Sequence, residues 1–138
     1  MSAPLGVIGR LEAISAVTTL VSTRIYQGLF PENPTFPAIR VQRISENEFM
    51  HARGTAGLFR TRVQIDSVSN AADAVGVAQS VDAVVRGDGA TTGLIGWRGT
   101  VAGVEIESIL PAGVREEYDP EERRQYRVMR DVFVTWVQ

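Results

Sequence analysis

The alternation of apolar and polar residues along the chain predicts two amphipathic helices. Apolar residues recur at helical spacing from Pro4 to Val21, and again from Asn70 to Arg86. Pro4 in a first turn and Asn70 as an N-cap suit the two helix starts. Each helix has a single apolar stripe, so each is expected to bury one side against a sheet.

A two-residue repeat predicts strands. It is clearest in the segment LFRTRVQIDSVSN, residues 58–70, where apolar and small side chains alternate with Arg60, Arg62, Gln64 and Asp66. The other strands are predicted at residues 24–30, 38–44, 101–110 and 126–137. The last of these is apolar on both faces, which favours a central strand or a strand covered by a partner chain.

Three segments follow neither repeat and are predicted to be polar loops: residues 46–57, 87–99 and 111–125. The second has five glycines in thirteen positions, which is typical of a flexible loop. The order of elements predicts one α+β domain spanning residues 1–138. Its architecture is expected to be a single antiparallel or mixed sheet with two helices packed on one face.

The sheet face away from the helices is expected to be charged. It would carry Arg60, Arg62, Gln64, Glu105, Glu107, Arg127 and Asp131. Arginine forks pair well with carboxylates across strands and at protein interfaces. We therefore expect Arg60 and Arg62 to contact acidic residues such as Glu105 or Glu107, within or between subunits. These four residues are the candidate assembly contacts.

Composition excludes several kinds of chemistry. The net charge of −2 argues against nucleic-acid binding that rests on phosphate neutralisation. The basic residues are all arginine. The chain has no cysteine and a single histidine, His51, so disulfides, thiolate nucleophiles and transition-metal sites are not expected. Neither a signal peptide nor a membrane helix is expected. The predicted protein is soluble and made in the cytoplasm.

No segment carries a catalytic pattern. Glu105 and Glu107 lie about 6.6 Å apart along a strand, but the aromatic sugar platforms of a glycosidase are missing around them. The acidic residues between 116 and 122 lack the spacing of a calcium loop and are flanked by arginines. The glycines of residues 87–99 follow a helix instead of opening one, and the chain has no phosphate-binding lysine. The sequence predicts a non-enzyme without cofactor or metal.

Four segments in order resemble one family. They are STRIYQGLFPENPTFPAIRVQRIS, GLFRTRVQIDSVSNAADAVGVAQSVDAVV, VEIESILPAGVREEYDPEERRQYRV and the terminal VFVTWV. Together they cover nearly the whole chain, and it resembles the tail-completion, or tail-terminator, family of long-tailed bacteriophages and gene transfer agents. No catalytic motif belongs to this family.

The resemblance implies a structural role in a virion. It implies a ring, typically of six subunits, that caps the finished tail tube, stops its polymerisation and meets the head-completion protein, with DNA passing through the bore. The ring would lie at the head–tail junction and assemble in the host cytoplasm. The three polar loops would then meet the axial neighbours. A head-side stopper and a free-standing soluble α+β binding module remain the alternatives.

Overall fold

A computed structural model describes residues 2–51, 54–70, 74–89, 91–119 and 125–137. The helices are α1 (Ala3–Glu12), α2 (Ser15–Val21) and α3 (Ala74–Arg86). The strands are β1 (Ile25–Gln27), β2 (Ala38–His51), β3 (Gly54–Asn70), β4 (Gly99–Val101), β5 (Val104–Asp119) and β6 (Gln125–Val137). The strands form one six-stranded sheet in the order β1-β2-β3-β6-β5-β4.

The sheet is mixed and curls into a half-barrel. Only β1 and β2 run parallel, and every other neighbouring pair is antiparallel. At the centre, β3 pairs with β6 from Leu58 opposite Val137 to Asn70 opposite Gln125. The central position of β6 confirms the prediction drawn from its two apolar faces.

One hydrophobic core joins the helices to the sheet. The helices contribute Val7, Leu11, Val17, Val21, Val81 and Val85, and the strands contribute Ile39, Val41, Val63, Ile65, Val104, Ile106, Ile109, Val132, Val134 and Trp136. These strand residues largely follow the two-residue repeat, which places them on one face of each strand. An ion pair adds to this contact, since Arg130 of β6 donates two hydrogen bonds of 2.8 Å to Asp82 of α3.

The prediction of two helices packed on one face of a single sheet is wrong. The first predicted helix is two helices, α1 and α2, which meet at an angle of 88° after Glu12. Leu11, Ile14 and Val17 are all buried across the break, so the apolar stripe continues through it and gives no sign of the bend. A straight helix over residues 4–21 would be about 27 Å long. The break instead lets the chain turn within a core enclosed by a curled sheet.

Two of the three predicted polar loops are also strands. Residues 46–51 and 54–57 belong to the β2–β3 hairpin, and residues 111–119 belong to β5. Residues 46–49 and 113–118 are all exposed, so they lack the alternation that marks a half-buried strand. Bulges between Arg43 and Ser45 and between Pro111 and Gly113 further disturb the repeat.

The glycine-rich segment is irregular, as predicted, but it is anchored and not a flexible loop. Arg10 of α1 donates hydrogen bonds to the carbonyls of Thr91 and Gly93, and its guanidinium lies 4.9 Å from the ring centre of Trp97. Leu94 is fully buried. A Cβ on Gly93 would lie 2.4 Å from the carbonyl oxygen of Arg86, so only glycine fits there without a backbone shift.

Three smaller boundaries also differ from the prediction. The strand expected at residues 24–30 is the three-residue β1, and α3 begins at Ala74 in the described chain, with Asn70 still in β3. A bulge between Ile106 and Ser108 places Ile109 in the core. An unbroken two-residue repeat from Val104 and Ile106 would place Ser108 on that face instead.

Candidate assembly surface

The candidate residues lie on the sheet face opposite the core, which is called the outer face below. On β3 this face carries Arg60, Arg62, Gln64 and Asp66. These residues alternate with Val63 and Ile65, whose side chains point into the core. On β6 it carries Met129, Asp131, Phe133 and Thr135, between the core residues Val132 and Val134. Because β3 and β6 are adjacent at the sheet centre, these side chains form one patch.

Arg62 is held by a carboxylate of the same chain. Its Nε and Nη2 atoms donate hydrogen bonds of 3.0 and 2.7 Å to Oδ2 of Asp131. The Asp131 side chain is 10% exposed and the Arg62 side chain 39% exposed. The second oxygen of Asp131 is buried and has no hydrogen-bond partner in the described part of the chain. Arg62 is therefore the main compensation for a buried negative charge.

A second arginine–carboxylate pair lies further along β3. Arg40 of β2 donates from Nε to Oδ2 of Asp66 at 3.0 Å, and Nη2 reaches the same oxygen. The amide of Gln64 donates to the other oxygen, Oδ1, at 2.7 Å. Asp66 is fully buried, and both of its oxygens are satisfied. The pair locks β2 against β3 in register.

Arg60 differs from Arg62 because its contact is aromatic. Its guanidinium carbon lies 4.3 Å from the ring centre of Phe133, and Arg62 lies 5.7 Å from the same ring on the other side of the patch. Phe133 is paired with Leu110 of β5, which is 51% exposed. Arg60 itself is exposed. Arginine and aromatic side chains in one exposed patch are enriched at protein interfaces.

Glu105 and Glu107 do not meet the arginines of β3 within the subunit. Glu105 is exposed and pairs in register with Thr100 and Val137. Glu107 lies at the bulge of β5, with a carboxylate oxygen 3.6 Å from Nη2 of Arg98. The strand β6 stands between them and β3. The cross-strand partner of Arg62 is Asp131, and an intrasubunit pairing with either glutamate is not formed.

The sequence prediction missed Asp131 and Phe133 as partners. Both lie in the segment RDVFV of β6, which was interpreted mainly by its apolar faces. The signal was present: an aspartate and a phenylalanine at alternate positions on a face otherwise expected to be charged. The partner of Arg62 could not be identified without the register, which places Arg62 opposite Phe133 and Gln64 opposite Asp131.

Hydrogen bonds also hold several ionisable groups outside the patch. Tyr126 donates a hydrogen bond of 2.6 Å to Glu116, and Gln79 of α3 donates to the same carboxylate. These bonds lower the pKa of Glu116, and the bond to Glu116 raises the pKa of Tyr126. The hydrogen bonds to Asp82 raise the pKa of Arg130. All are contacts between sheet strands and α3 or within the β5–β6 hairpin, so they support the fold.

No group of three histidine, cysteine or acidic side chains is placed to hold a metal ion in the described part of the chain. His51 ends β2, and its side chain lies outside the described residues. No single described helix is long and apolar enough to cross a membrane; α1 and α2 together pass by length and composition, but they are bent by 88°.

Comparison with known proteins gives a family and a fold. A family model described as tail completion protein gp17 matches residues 6–135. A chain in the structure titled "Virion of native gene transfer agent (GTA) particle" superposes with a TM-score of 0.73. The two are 15% identical, and the match covers 99% of this chain and 96% of that one. No curated protein matches the chain.

Proposed function

Because the chain belongs to the tail completion protein gp17 family, and is therefore a structural protein of a phage-like tail, we propose that it forms a ring that caps the tail tube. The ring stops polymerisation of the tube protein and presents its other side to the head-completion protein. It lies at the head–tail junction and assembles in the host cytoplasm. DNA passes through its bore during packaging or ejection.

The outer face is the observation that carries this proposal. Arg60 is exposed and has an aromatic contact but no carboxylate partner among the described residues. Glu105 is exposed on the other side of β6, also without a cation in the described chain. Two unpaired opposite charges on different parts of one surface suit a heterologous contact, in which unlike patches of adjacent subunits meet. Repetition of such a contact generates a ring when the rotation closes.

The four candidate contacts have different roles in this proposal. Arg60 meets Glu105 or Glu107 of the next subunit, while Arg62 keeps its own partner Asp131 and supports the shape of the patch. A buried pair at an interface fixes register more than it adds affinity. Phe133 and Leu110 supply the apolar centre of the contact.

The ends of the sheet supply the axial contacts. The tip of the β2–β3 hairpin lies at one end of β3, and the β5–β6 hairpin reaches the other end, where Asp119 and Gln125 lie level with Asn70. A ring between a tube and a head protein needs two unlike faces. In the described chain, residues 46–51 and 54–57 lie at one end of β3 and residues 115–119 lie at the other. Residues 91–99 add a third anchored surface.

The charge of the chain supports a bore that DNA passes without binding tightly. The net charge is −2, and the arginines Arg40 and Arg62 of the outer face are neutralised by Asp66 and Asp131. Affinity for nucleic acid rests largely on unpaired cations that neutralise phosphates. A subunit that is near neutral and has few unpaired arginines suits a bore through which DNA slides.

Particles from cells that lack this chain test the proposal against the head-side stopper. A terminator deletion is expected to give tails of irregular, often excessive length that do not join heads, and complementation restores a uniform length. Loss of a stopper would leave tail length uniform and affect the heads. Uniform tails in the deletion, seen by electron microscopy, would contradict the terminator role. A chain that is missing from purified particles would contradict any structural role at the junction.

A further inference from the structure

Strand β5 has an unpaired edge over residues 113–118, called the open edge below. On one side, all six residues pair with β6. On the other side, β4 pairs only with Val104–Ile106, and the N–H of Gly96 donates a hydrogen bond of 2.8 Å to the carbonyl of Ile109. Among the described residues no strand lies beside the open edge on that side. The sheet therefore ends here on a strand that another strand could join.

The backbone of the open edge is accessible and regular. All six residues are exposed, and the segment is about 20 Å long at 3.3 Å per residue. Alternate residues of such a strand direct both N–H and C=O away from the paired neighbour. Strand edges that stay exposed invite pairing with another chain, so proteins usually shorten, bulge or cover them. The bulge between Pro111 and Gly113 comes before the open edge and leaves it able to pair.

Two apolar side chains of the open edge lie on the helix side of the sheet. Val114 pairs in register with Arg130 of β6, and the side chain of Arg130 reaches Asp82 of α3. Tyr118 is four residues further along the regular part of β5, so it lies on the same side as Val114. Each of these two residues is 51% exposed. Apolar surface therefore remains uncovered where the sheet ends.

Helix α3 adds a third apolar side chain to this stretch. Gln79 donates a hydrogen bond of 3.1 Å to Glu116, which lies between Val114 and Tyr118 along β5. Val75 precedes Gln79 by one helical turn, so it lies on the same side of α3, and it is 47% exposed. A further strand beside β5 would cover apolar surface on both the sheet and the helix.

The charge of β5 favours a basic partner. The strand carries five acidic residues and a single arginine, Arg115. The long strand at the other side of the sheet is no better match, because residues 43–49 of β2 have two glutamates and one arginine. Like charges on facing strands destabilise their pairing. A strand with basic residues therefore suits the open edge better than β2 of a second copy.

We propose that the open edge binds an extended basic segment of an axial neighbour, which joins the sheet as an added strand. Backbone hydrogen bonds supply the affinity, and alternate side chains supply the specificity. Apolar residues at every second position cover Val75, Val114 and Tyr118, and the basic residues between them lie on the opposite face, which carries Glu117. The inference rests on the proposed ring, because it gives a recognition mode to one of its axial contacts, and it is separate from the lateral contact of Arg60.

Labelled decapeptides test the chemistry of the open edge. The probe alternates valine and lysine, and fluorescence anisotropy follows its binding to the purified chain. One control has glutamate in place of lysine. The other keeps the side chains and charge of the probe but has N-methyl groups on its two central residues, which removes one hydrogen-bond donor from each edge of the peptide. The probe is expected to bind, and each control to bind at least about tenfold more weakly.

Two peptide results would overturn the inference. A probe that does not bind would show that the open edge is a solvated end of the sheet. Equal binding of the probe and its N-methylated form would show attraction by charge alone, without an added strand.

A pair of variants locates the bound peptide. Val114→Lys places a cation on the apolar stretch of the open edge and should weaken binding of the probe by about tenfold. Leu20→Lys makes the same change on α2, where Leu20 is 36% exposed, and should leave binding unchanged. Circular dichroism confirms that both variants are folded. Equal binding by the two variants would overturn the assignment to the open edge.

The same two variants distinguish an axial neighbour from a second copy of the chain. Val114→Lys should leave rings of normal size but reduce the joining of the tail to one axial neighbour, as counted by electron microscopy of particles. Loss of the ring in Val114→Lys but not in Leu20→Lys would show that β5 contacts another copy. That result, or rings and joining that are both normal, overturns the inference and leaves the proposed function standing. An unsubstituted chain that forms no ring overturns the proposed function, and the inference with it.

Discussion

Arg62 and Asp131 form an ion pair across the two central strands, in which Nε and Nη2 of the guanidinium donate to a single carboxylate oxygen. The other oxygen of Asp131 is buried and has no hydrogen-bond partner among the described residues. In the described chain the neighbouring Arg60 has no such partner, and it lies over the Phe133 ring. Two arginines that look equivalent in the sequence therefore differ: Arg62 belongs to the fold, and Arg60 is available for assembly.

Replacing Arg62 should destabilise the subunit. Arg62→Ala leaves the Asp131 carboxylate buried without its cation, and a loss of about 1–3 kcal/mol of unfolding free energy is expected, below the range for fully buried pairs because Arg62 is partly exposed. Urea unfolding measures it. Arg62→Met combined with Asp131→Leu should recover most of the loss, because no unpaired charge remains. A loss under about 0.5 kcal/mol would show that solvent already compensates Asp131.

Replacing Arg60 should spare the fold and weaken the ring. Arg60→Ala removes one exposed cation–π contact, which contributes about 0.5–1 kcal/mol. Subunit association should fall by about tenfold or more if Arg60 meets a carboxylate of the neighbour. Analytical ultracentrifugation follows association, and Arg86→Ala, an exposed arginine at the end of α3, is the control. Equal association of the two variants would show that Arg60 is a solvated surface residue without a role in association.

Helix α3 should be essential to the core. Val81 is fully buried, so Val81→Asp places an unpaired charge against the sheet and is expected to cost more than about 4 kcal/mol and to unfold the subunit. Val75→Asp lies on the same helix at 47% exposure and should change stability by about 0.5 kcal/mol or less. Circular dichroism compares them. A folded Val81→Asp variant would show that this face of α3 is not part of the core.

The anchored glycine segment predicts a sharp difference between two glycines. A Cβ on Gly93 would lie 2.4 Å from both the Arg86 carbonyl oxygen and the Gly87 Cα atom, whereas a Cβ on Gly89 meets nothing within 4 Å. Gly93→Ala should therefore lower stability by about 1–3 kcal/mol, and Gly89→Ala should be near neutral. Thermal unfolding followed by circular dichroism measures both. Similar melting curves would mean that the segment shifts freely.

The sequence was informative where a segment has one buried face. The core sides of β3 and β6 and the stripes of the helices were predicted because burial imposes a regular repeat. The predictions failed where burial gives no repeat. Residues 43–49 of β2 are all exposed and show no buried face. The bend between α1 and α2 leaves Leu11, Ile14 and Val17 in a continuous apolar stripe.

Only part of the candidate surface could be predicted from the sequence, because a local repeat shows the face of a strand but not its neighbours. Alternation placed Arg60 and Arg62 on the correct face of β3. Their partners depend on which strands are neighbours and on register, and neither is encoded in a local pattern. The bulge at Glu107 and the strand β6 between β3 and β5 separate the arginines from the glutamates that the sequence suggested.

Electron cryomicroscopy of intact particles tests the central claim most directly. A ring of this chain at the head-proximal end of the tail tube is predicted, with one side on the last layer of tube protein and the other on the head-completion protein. Within the ring, Arg60 of one subunit should lie within hydrogen-bonding distance of Glu105 or Glu107 of the next. Density for this chain at any other position in the particle, or as a single copy without a ring, would contradict the account.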